Sequence, residues 1–130
     1  FLVEIDPAVY VLDCLPNMVD REVTERTEPM VKQLRAAHPD VPIVLVEDRT
    51  YAYSWIKPSS QKRNDTSRAA FKAAYQRLLD AGVERLSYVD GESLLNEDRD
   101  DTTDGSHPSD LGFYNHAQVL EPVLRKAIEV

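Results

Sequence analysis

The sequence of 130 residues has one cysteine and no long apolar run, and each shortage excludes a class of protein or site. The single cysteine, Cys14, excludes an intrachain disulfide and a metal site built from several cysteines, and it leaves the compartment open. No apolar run approaches the ~20 residues that a membrane-spanning helix needs. The sequence therefore predicts a chain without a membrane span.

Positive charge is also scarce, since 15 Lys and Arg stand against 23 Asp and Glu and give a net charge of -8. Binding to a phosphate backbone requires clustered basic residues, so nucleic acid is not an expected partner. The 42% hydrophobic and 29% charged residues are typical of a globular protein, and the length is that of one domain. We expect residues 1–130 to form a single domain.

Strand and helix patterns alternate along the chain. Short apolar segments typical of buried strands occur at residues 9–14, 41–46 and 86–89. Apolar residues at helical spacing predict helices at about residues 20–37, 67–81 and 111–128. Residues 51–65 show no clear period and are expected to form a long loop. This order predicts an α/β fold with a parallel sheet, whose ligands bind beyond the carboxyl ends of the strands.

An Asp and a His three residues apart lie on a glycine-containing turn near the end of the sequence. Asp104 precedes His107, with Gly105 between them. On such a turn the carboxylate can bond one imidazole nitrogen and leave the other free to move a proton. This is the base-and-orienter half of a hydrolytic triad. Taken singly, Asp104 is better explained as a turn or cap residue, and His107 as a solvated loop histidine.

The motif Asp104-Gly105-x-His107-Pro108-x-x-x-Gly112, followed by a last amphipathic helix, resembles the terminal block of the SGNH (GDSL-like) hydrolase family. The resemblance implies a three-layer, flavodoxin-like α/β sandwich and ester hydrolysis by a serine acyl-enzyme route. It implies that Asp104 and His107 are triad members and that the substrate is a small-molecule, carbohydrate or lipid ester. No cofactor and no metal are expected.

In that family the nucleophilic serine lies in a Gly-Asp-Ser motif near the start of the domain, and this sequence contains no Gly-Asp-Ser. The sequence also opens on an apolar segment without an initiating Met. We therefore expect residues 1–130 to be the C-terminal portion of an SGNH-type domain, with the serine on an N-terminal segment that is missing here. Without its nucleophile, the fragment should be catalytically inert.

A third candidate residue, Asn17, follows the first predicted strand in Leu15-Pro16-Asn17-Met18. By itself, an asparagine in a turn after a proline is most often structural. In SGNH proteins a Gly-x-Asn-Asp block follows this strand, and its first Asn donates to the oxyanion. Leu15 replaces the Gly and Met18 the Asp, so only the Asn is shared. The resemblance favours oxyanion binding by Asn17.

Two residues within the sequence are alternative nucleophiles. Ser106 adjoins His107 and lacks a nucleophile motif, so we interpret it as a turn residue. Cys14 ends a predicted strand and could act as a thiolate, although such a cysteine is more often a small buried hydrophobic residue.

The acidic residues 98–105 resemble a calcium loop in part, but Leu111 stands where that loop needs a bidentate Glu, so a solvated acidic loop is the better interpretation. Tyr51, Tyr53 and Trp55 could line an acyl or sugar pocket or simply pack together. The competing function is a non-enzymatic α/β domain that uses the same edge of the sheet to bind a ligand or a protein.

Overall fold

The computed structural model describes residues 1–129, in which three strands alternate with three helices. The strands are β1 (Tyr10–Leu12), β2 (Ile43–Val46) and β3 (Leu86–Val89). The helices are α1 (Asp20–Ala37), α2 (Pro58–Asp80) and α3 (Asp110–Ile128). Short 3-10 turns occur at Leu2–Glu4, Leu15–Asn17 and Gly91–Ser93.

The strands form one parallel sheet in the order β1-β2-β3. Ile43 of the central strand pairs with Tyr10 on one side and with Leu86 on the other. All four residues of β2 are buried, which explains why its sequence is continuously apolar instead of alternating. The predicted α/β fold with a parallel sheet is confirmed.

Helices cover both faces of this sheet. Val31 of α1 and Phe71 of α2 share a buried cluster with Ile43, so these two helices pack on one face. On the other face, Val123 of α3 packs against the cluster that contains Val44. Successive side chains of β2 point to opposite faces, and this alternation divides the core into two layers. None of the helices in the described part of the chain is long and apolar enough to cross a membrane.

Helix α2 begins at Pro58, so the prediction of a loop over residues 51–65 was wrong in its second half. The buried side chains of the first part of this helix are Ser60, Asn64 and Ser67, at helical spacing. Because they are polar, no apolar period revealed the helix. Pro58 suits a first helical position, where its missing N–H costs no hydrogen bond.

Other boundaries differ less from the prediction. β1 and β2 are shorter than the predicted residues 9–14 and 41–46, whereas α1 spans the predicted residues 20–37 with Pro29 inside it. Helix α2 ends as expected near a glycine, since Gly82 adopts a positive φ of 76° and donates to the carbonyl of Leu79.

Candidate active site

A closed turn between β3 and α3 carries Asp104 and His107. Thr102 and Pro108 form an antiparallel bridge, and the N–H of Thr103 donates to the carbonyl of His107 at 2.8 Å. Gly105 at the tip has a φ of 84°, a conformation that suits glycine. These backbone bonds fix the path of the chain through the turn.

The Asp104 carboxylate binds both the backbone of the turn and the ring of His107. Oδ1 accepts from the N–H groups of His107 at 2.8 Å and Ser106 at 2.9 Å. Oδ2 lies 2.8 Å from Nδ1 of His107. The backbone N–H of His107, its ring and the N–H of Ser106 together hold the pKa of Asp104 well below its usual range. Asp104 is therefore ionised wherever His107 could act as a base.

The second ring nitrogen of His107 is available for chemistry. With Nδ1 bonded to a carboxylate, the neutral ring carries its proton on Nδ1 and a lone pair on Nε2. Within residues 1–129, Nε2 has no hydrogen-bond partner, and the side chain is 74% exposed. The contact that the sequence predicted between Asp104 and His107 is thus present, while its catalytic role stays a prediction.

Asn17 lies at the same edge of the sheet. It ends the 3-10 turn that follows β1, and this turn is anchored by the fully buried Leu15. Arg63 of α2 donates to the carbonyl of Pro16 at 2.8 Å and ties the turn to α2. Asn17 and His107 both line two neighbouring cavities of about 470 and 250 Å³. The structure therefore brings all three predicted site residues to one region.

Arg49 connects this region to the central strand, a role that the sequence did not predict. Its guanidinium donates to the carbonyl oxygen of Ser106 and, at 3.0 Å, to the Ser106 hydroxyl. It also pairs with the buried carboxylate of Asp48 at 3.1 Å. Because Asp48 and Arg49 follow β2 directly, the turn with Asp104 and His107 is anchored to the sheet.

A buried polar network holds Asp48 in place. Its Oδ2 accepts from the Tyr51 hydroxyl at 2.8 Å and from the Asn64 amide at 3.3 Å. Burial raises the pKa of Asp48 above its ordinary value. Burial and the bond to Asp48 also raise the pKa of Tyr51 to about 12, so Tyr51 keeps its proton across the physiological range and donates a hydrogen bond to Asp48. Asn64 explains why the first half of α2 buries a polar face.

The loop after β2 also contacts the turn of Asp104 and His107 at Gly105. The N–H of Ala52 donates to the carbonyl of Gly105 at 2.8 Å. The ring of Tyr53 packs so closely on Gly105 that a methyl group there would collide with it. Tyr51 and Tyr53 are stacked with ring centroids 5.8 Å apart, and both line the larger cavity with His107. Trp55 is 78% exposed and lines a different cavity.

Glu47, the first residue of the charged segment after β2, turns toward β3. It accepts from the Tyr88 hydroxyl and, at 2.8 Å, from the N–H of Gly91, and Arg68 lies 3.6 Å away. Of the three charged residues after β2, Asp48 and Arg49 pair with each other, whereas Glu47 contacts Tyr88, Gly91 and Arg68. The sequence feature that could have revealed these contacts is the run of three charged residues directly after a fully buried strand.

The geometry disfavours both alternative nucleophiles. The Ser106 hydroxyl is bound by Arg49, and in the described residues it makes no hydrogen bond to the His107 ring. Cys14 is half-buried, and burial, with a smaller effect of Asp13, raises the pKa of its thiol. A raised pKa reduces the thiolate form that attack requires.

The acidic run contains one buried carboxylate, so the expectation of a solvated loop was wrong at Asp101. Asp101 is fully buried, and its Oδ2 accepts from the N–H of Asn96 at 3.1 Å and from the Asn115 amide at 2.7 Å. It thereby ties the loop after β3 to α3. Among residues 1–129, no group of three or more His, Cys, Asp or Glu side chains is arranged to hold a metal ion.

Comparison with known families and sequences gives one match. The family model described as GDSL-like Lipase/Acylhydrolase family matches residues 1–125. None of the curated protein sequences matches the chain.

Solved structures with the same arrangement include a Bacteroides ovatus ATCC 8483 protein described as a GDSL-like lipase. It matches with a TM-score of 0.93 and 29% identity over 98% of this chain and 38% of its own. Salicylyl-acyltransferase SsfX3 from a tetracycline biosynthetic pathway has a TM-score of 0.71 at 18% identity, over 99% of this chain and 40% of its own.

A GDSL-like lipase from Bacteroides thetaiotaomicron VPI-5482 has a TM-score of 0.57 at 15% identity, over 93% of this chain and 63% of its own. At this identity, and at that of the acyltransferase, the likeness concerns the fold alone. The chain spans less than two thirds of the length of each of these three proteins.

Proposed function

The chain belongs to the GDSL-like lipase/acylhydrolase family, and on that premise we propose that it supplies the Asp-His pair of a serine-type ester hydrolase. The observation that carries the proposal is the 2.8 Å contact between Asp104 Oδ2 and His107 Nδ1, in a residue pair whose His107 lines a cavity together with Asn17. The substrate is a small-molecule, carbohydrate or lipid ester.

In this mechanism His107 transfers the proton at each step. Its Nε2 takes the proton of the serine hydroxyl as the oxygen attacks the ester carbonyl, and then returns that proton to the leaving alcohol. A water molecule later attacks the acyl-enzyme by the same route and releases the acid and the free serine. Asp104 holds the ring in the correct tautomer and stabilises the imidazolium. The amide of Asn17 donates to the oxyanion.

The nucleophile comes from a segment outside residues 1–130 that completes the same domain. Two observations support this: the sequence contains no Gly-Asp-Ser, and the Ser106 hydroxyl accepts a hydrogen bond from Arg49. Within the described residues β1 pairs with β2 alone, and Val11 in its middle is 39% exposed. An apolar edge strand of this kind offers a pairing site for a further strand. On this proposal the 130 residues alone do not turn over substrate.

Hydrolysis of 4-nitrophenyl acetate by the full-length protein tests the proposal. Asp104→Asn should lower kcat by about four orders of magnitude, as loss of the orienting carboxylate does in other triads. Asn17→Ala should lower kcat by about 100-fold, the effect of losing one oxyanion donor. Asp100→Asn, the same change at an exposed carboxylate of the same loop, is the control and should leave kcat unchanged.

Two results would contradict the proposal. A non-enzymatic binding domain would show no turnover that depends on Asp104 or His107. Turnover by the isolated 130 residues, abolished by His107→Ala, would require a nucleophile within the chain.

A further inference from the structure

The larger cavity beside His107 is lined by positive charge. Arg49, Lys57 and Arg63 line it together with Asn17 and His107, and no carboxylate does so among the residues that the structure describes. The whole chain has a net charge of -8, so this concentration of cations is contrary to the general composition.

Two of these three cations form no direct ion pair with a carboxylate of the described residues. Arg49 pairs with Asp48 at 3.1 Å, but for Lys57 and Arg63 no carboxylate of residues 1–129 lies within 4.0 Å. The Lys57 ammonium lies 5.4 Å from the centre of the Tyr53 ring. Arg63 uses one nitrogen for the carbonyl of Pro16 and retains further N–H donors. Both cations can therefore donate to a bound anion.

The smaller cavity, which His107 and Asn17 also line, is mixed in charge, because Arg49 lines it together with two carboxylates. Asp13 and Glu47 contribute to its lining. An anionic group is repelled from these carboxylates and attracted by the cations of the larger cavity, so the two cavities differ in the substrate groups that they accept.

We propose that the substrate is an ester that also bears a carboxylate, an inference that rests on the proposed function. Lys57 and Arg63 bind this carboxylate in the larger cavity while the ester carbonyl lies at His107. A volume of about 470 Å³ accommodates a small organic acid group. Two cations beside an aromatic wall favour an ionised group over an alkyl chain of equal size, because only the ionised group forms charge-assisted hydrogen bonds with Lys57 and Arg63.

Paired esters of equal size test this preference in the full-length protein. For an acid group on the acyl side, the pair is 4-nitrophenyl hydrogen glutarate and 4-nitrophenyl 5-methylhexanoate. For an acid group on the alcohol side, the pair is 4-acetoxybenzoate and 4-isopropylphenyl acetate. In at least one pair, kcat/KM should be about tenfold higher for the anionic ester at low salt, since each cation contributes about two- to fivefold. Added salt should reduce the ratio.

Substitutions at Lys57 link the preference to the cavity. Lys57→Gln should lower the ratio of anionic to neutral kcat/KM by about two- to fivefold, and Lys57→Glu should lower it further. The control is Lys62→Gln, which removes the same charge from an exposed position of α2 outside this cavity and should leave the ratio unchanged. Lys57 is preferred to Arg63 for the test because Arg63 also holds the turn of Asn17.

The outcomes separate this inference from the proposed function. If neutral esters are hydrolysed with dependence on His107, but neither pair shows a preference that Lys57→Gln reduces, the anionic substrate is wrong and the hydrolase remains. If no ester is hydrolysed, the hydrolase fails and glutarate binding to the full-length protein is followed by NMR. Binding weakened by Lys57→Gln and not by Lys62→Gln then supports the anion site, and no binding overturns it.

Discussion

Arg49 donates from its guanidinium to both the carbonyl oxygen and the hydroxyl of Ser106, the residue immediately before His107. Arg49 also forms an ion pair with the buried Asp48, so the turn that carries the Asp-His pair is attached to the segment that follows the central strand. The position of the imidazole is thus set by the rigid sheet as well as by local turn bonds. Arg49 is a positioning residue in this arrangement.

Arg49→Lys should lower kcat of the full-length protein by about 10- to 100-fold while KM changes less. Lysine keeps the charge but cannot make the forked contact, and displacement of a catalytic group by about 1 Å costs rate on this scale. The measurement is steady-state hydrolysis of a neutral ester, together with the free energy of unfolding.

Arg35→Lys is the matched control for Arg49→Lys. Arg35 also binds backbone carbonyls, those of Val41 and Glu84 among them, but these residues precede β2 and β3 at the opposite end of the sheet. It should lower the free energy of unfolding and leave kcat unchanged. If Arg49→Lys behaves in the same way as Arg35→Lys, Arg49 has only a structural role.

Gly105→Ala should destabilise the protein more than Gly82→Ala. Both glycines have a positive φ, 84° and 76°, and each substitution carries a backbone cost of about 1–3 kcal/mol. At Gly82 an added methyl group meets nothing within 4 Å, whereas at Gly105 it collides with the Tyr53 ring. Denaturant unfolding measures the difference. Equal losses at the two positions would show that Tyr53 does not pack on the turn in solution.

Asp104 should make stability depend on pH in the acid range. Three hydrogen bonds lower its folded-state pKa below that of the unfolded chain, so its stabilisation is full above the unfolded-state pKa and is lost as pH falls through the folded-state pKa. The difference in free energy of unfolding between the wild type and Asp104→Asn should therefore increase from about pH 2 to pH 5 and then level off. Asp6→Asn corrects for the loss of one exposed charge. A difference that stays constant with pH would contradict the bonded carboxylate.

Most of the fold could be predicted from the sequence because most of its strands and helices are marked by patterns of apolar residues. The three strands and helix α1 follow from buried Val, Ile and Leu residues at periods that belong to strands and helices. The beginning of α2 could not be found in this way, since its buried residues Ser60, Asn64 and Ser67 are polar, and the partners of Asn64 lie on another segment.

The sequence predicts those site contacts that join residues close in the chain, but not the contacts that join distant segments. Asp104 and His107 are three residues apart, so their contact follows from a turn. Arg49 and Ser106 are separated by 57 positions, and no local pattern joins them. The cations of the cavity, Arg49, Lys57 and Arg63, lie close together in the sequence, but only the fold brings them beside His107.

Covalent labelling of the full-length protein with a fluorophosphonate, followed by peptide mass spectrometry, tests the central claim most directly. Such a reagent phosphonylates a serine activated by a histidine base. We predict one adduct, on a serine outside residues 1–130, and its loss in His107→Ala. An adduct on Ser106 or elsewhere within this chain, or labelling that persists in His107→Ala, would contradict the assignment of His107 as the base for an external serine.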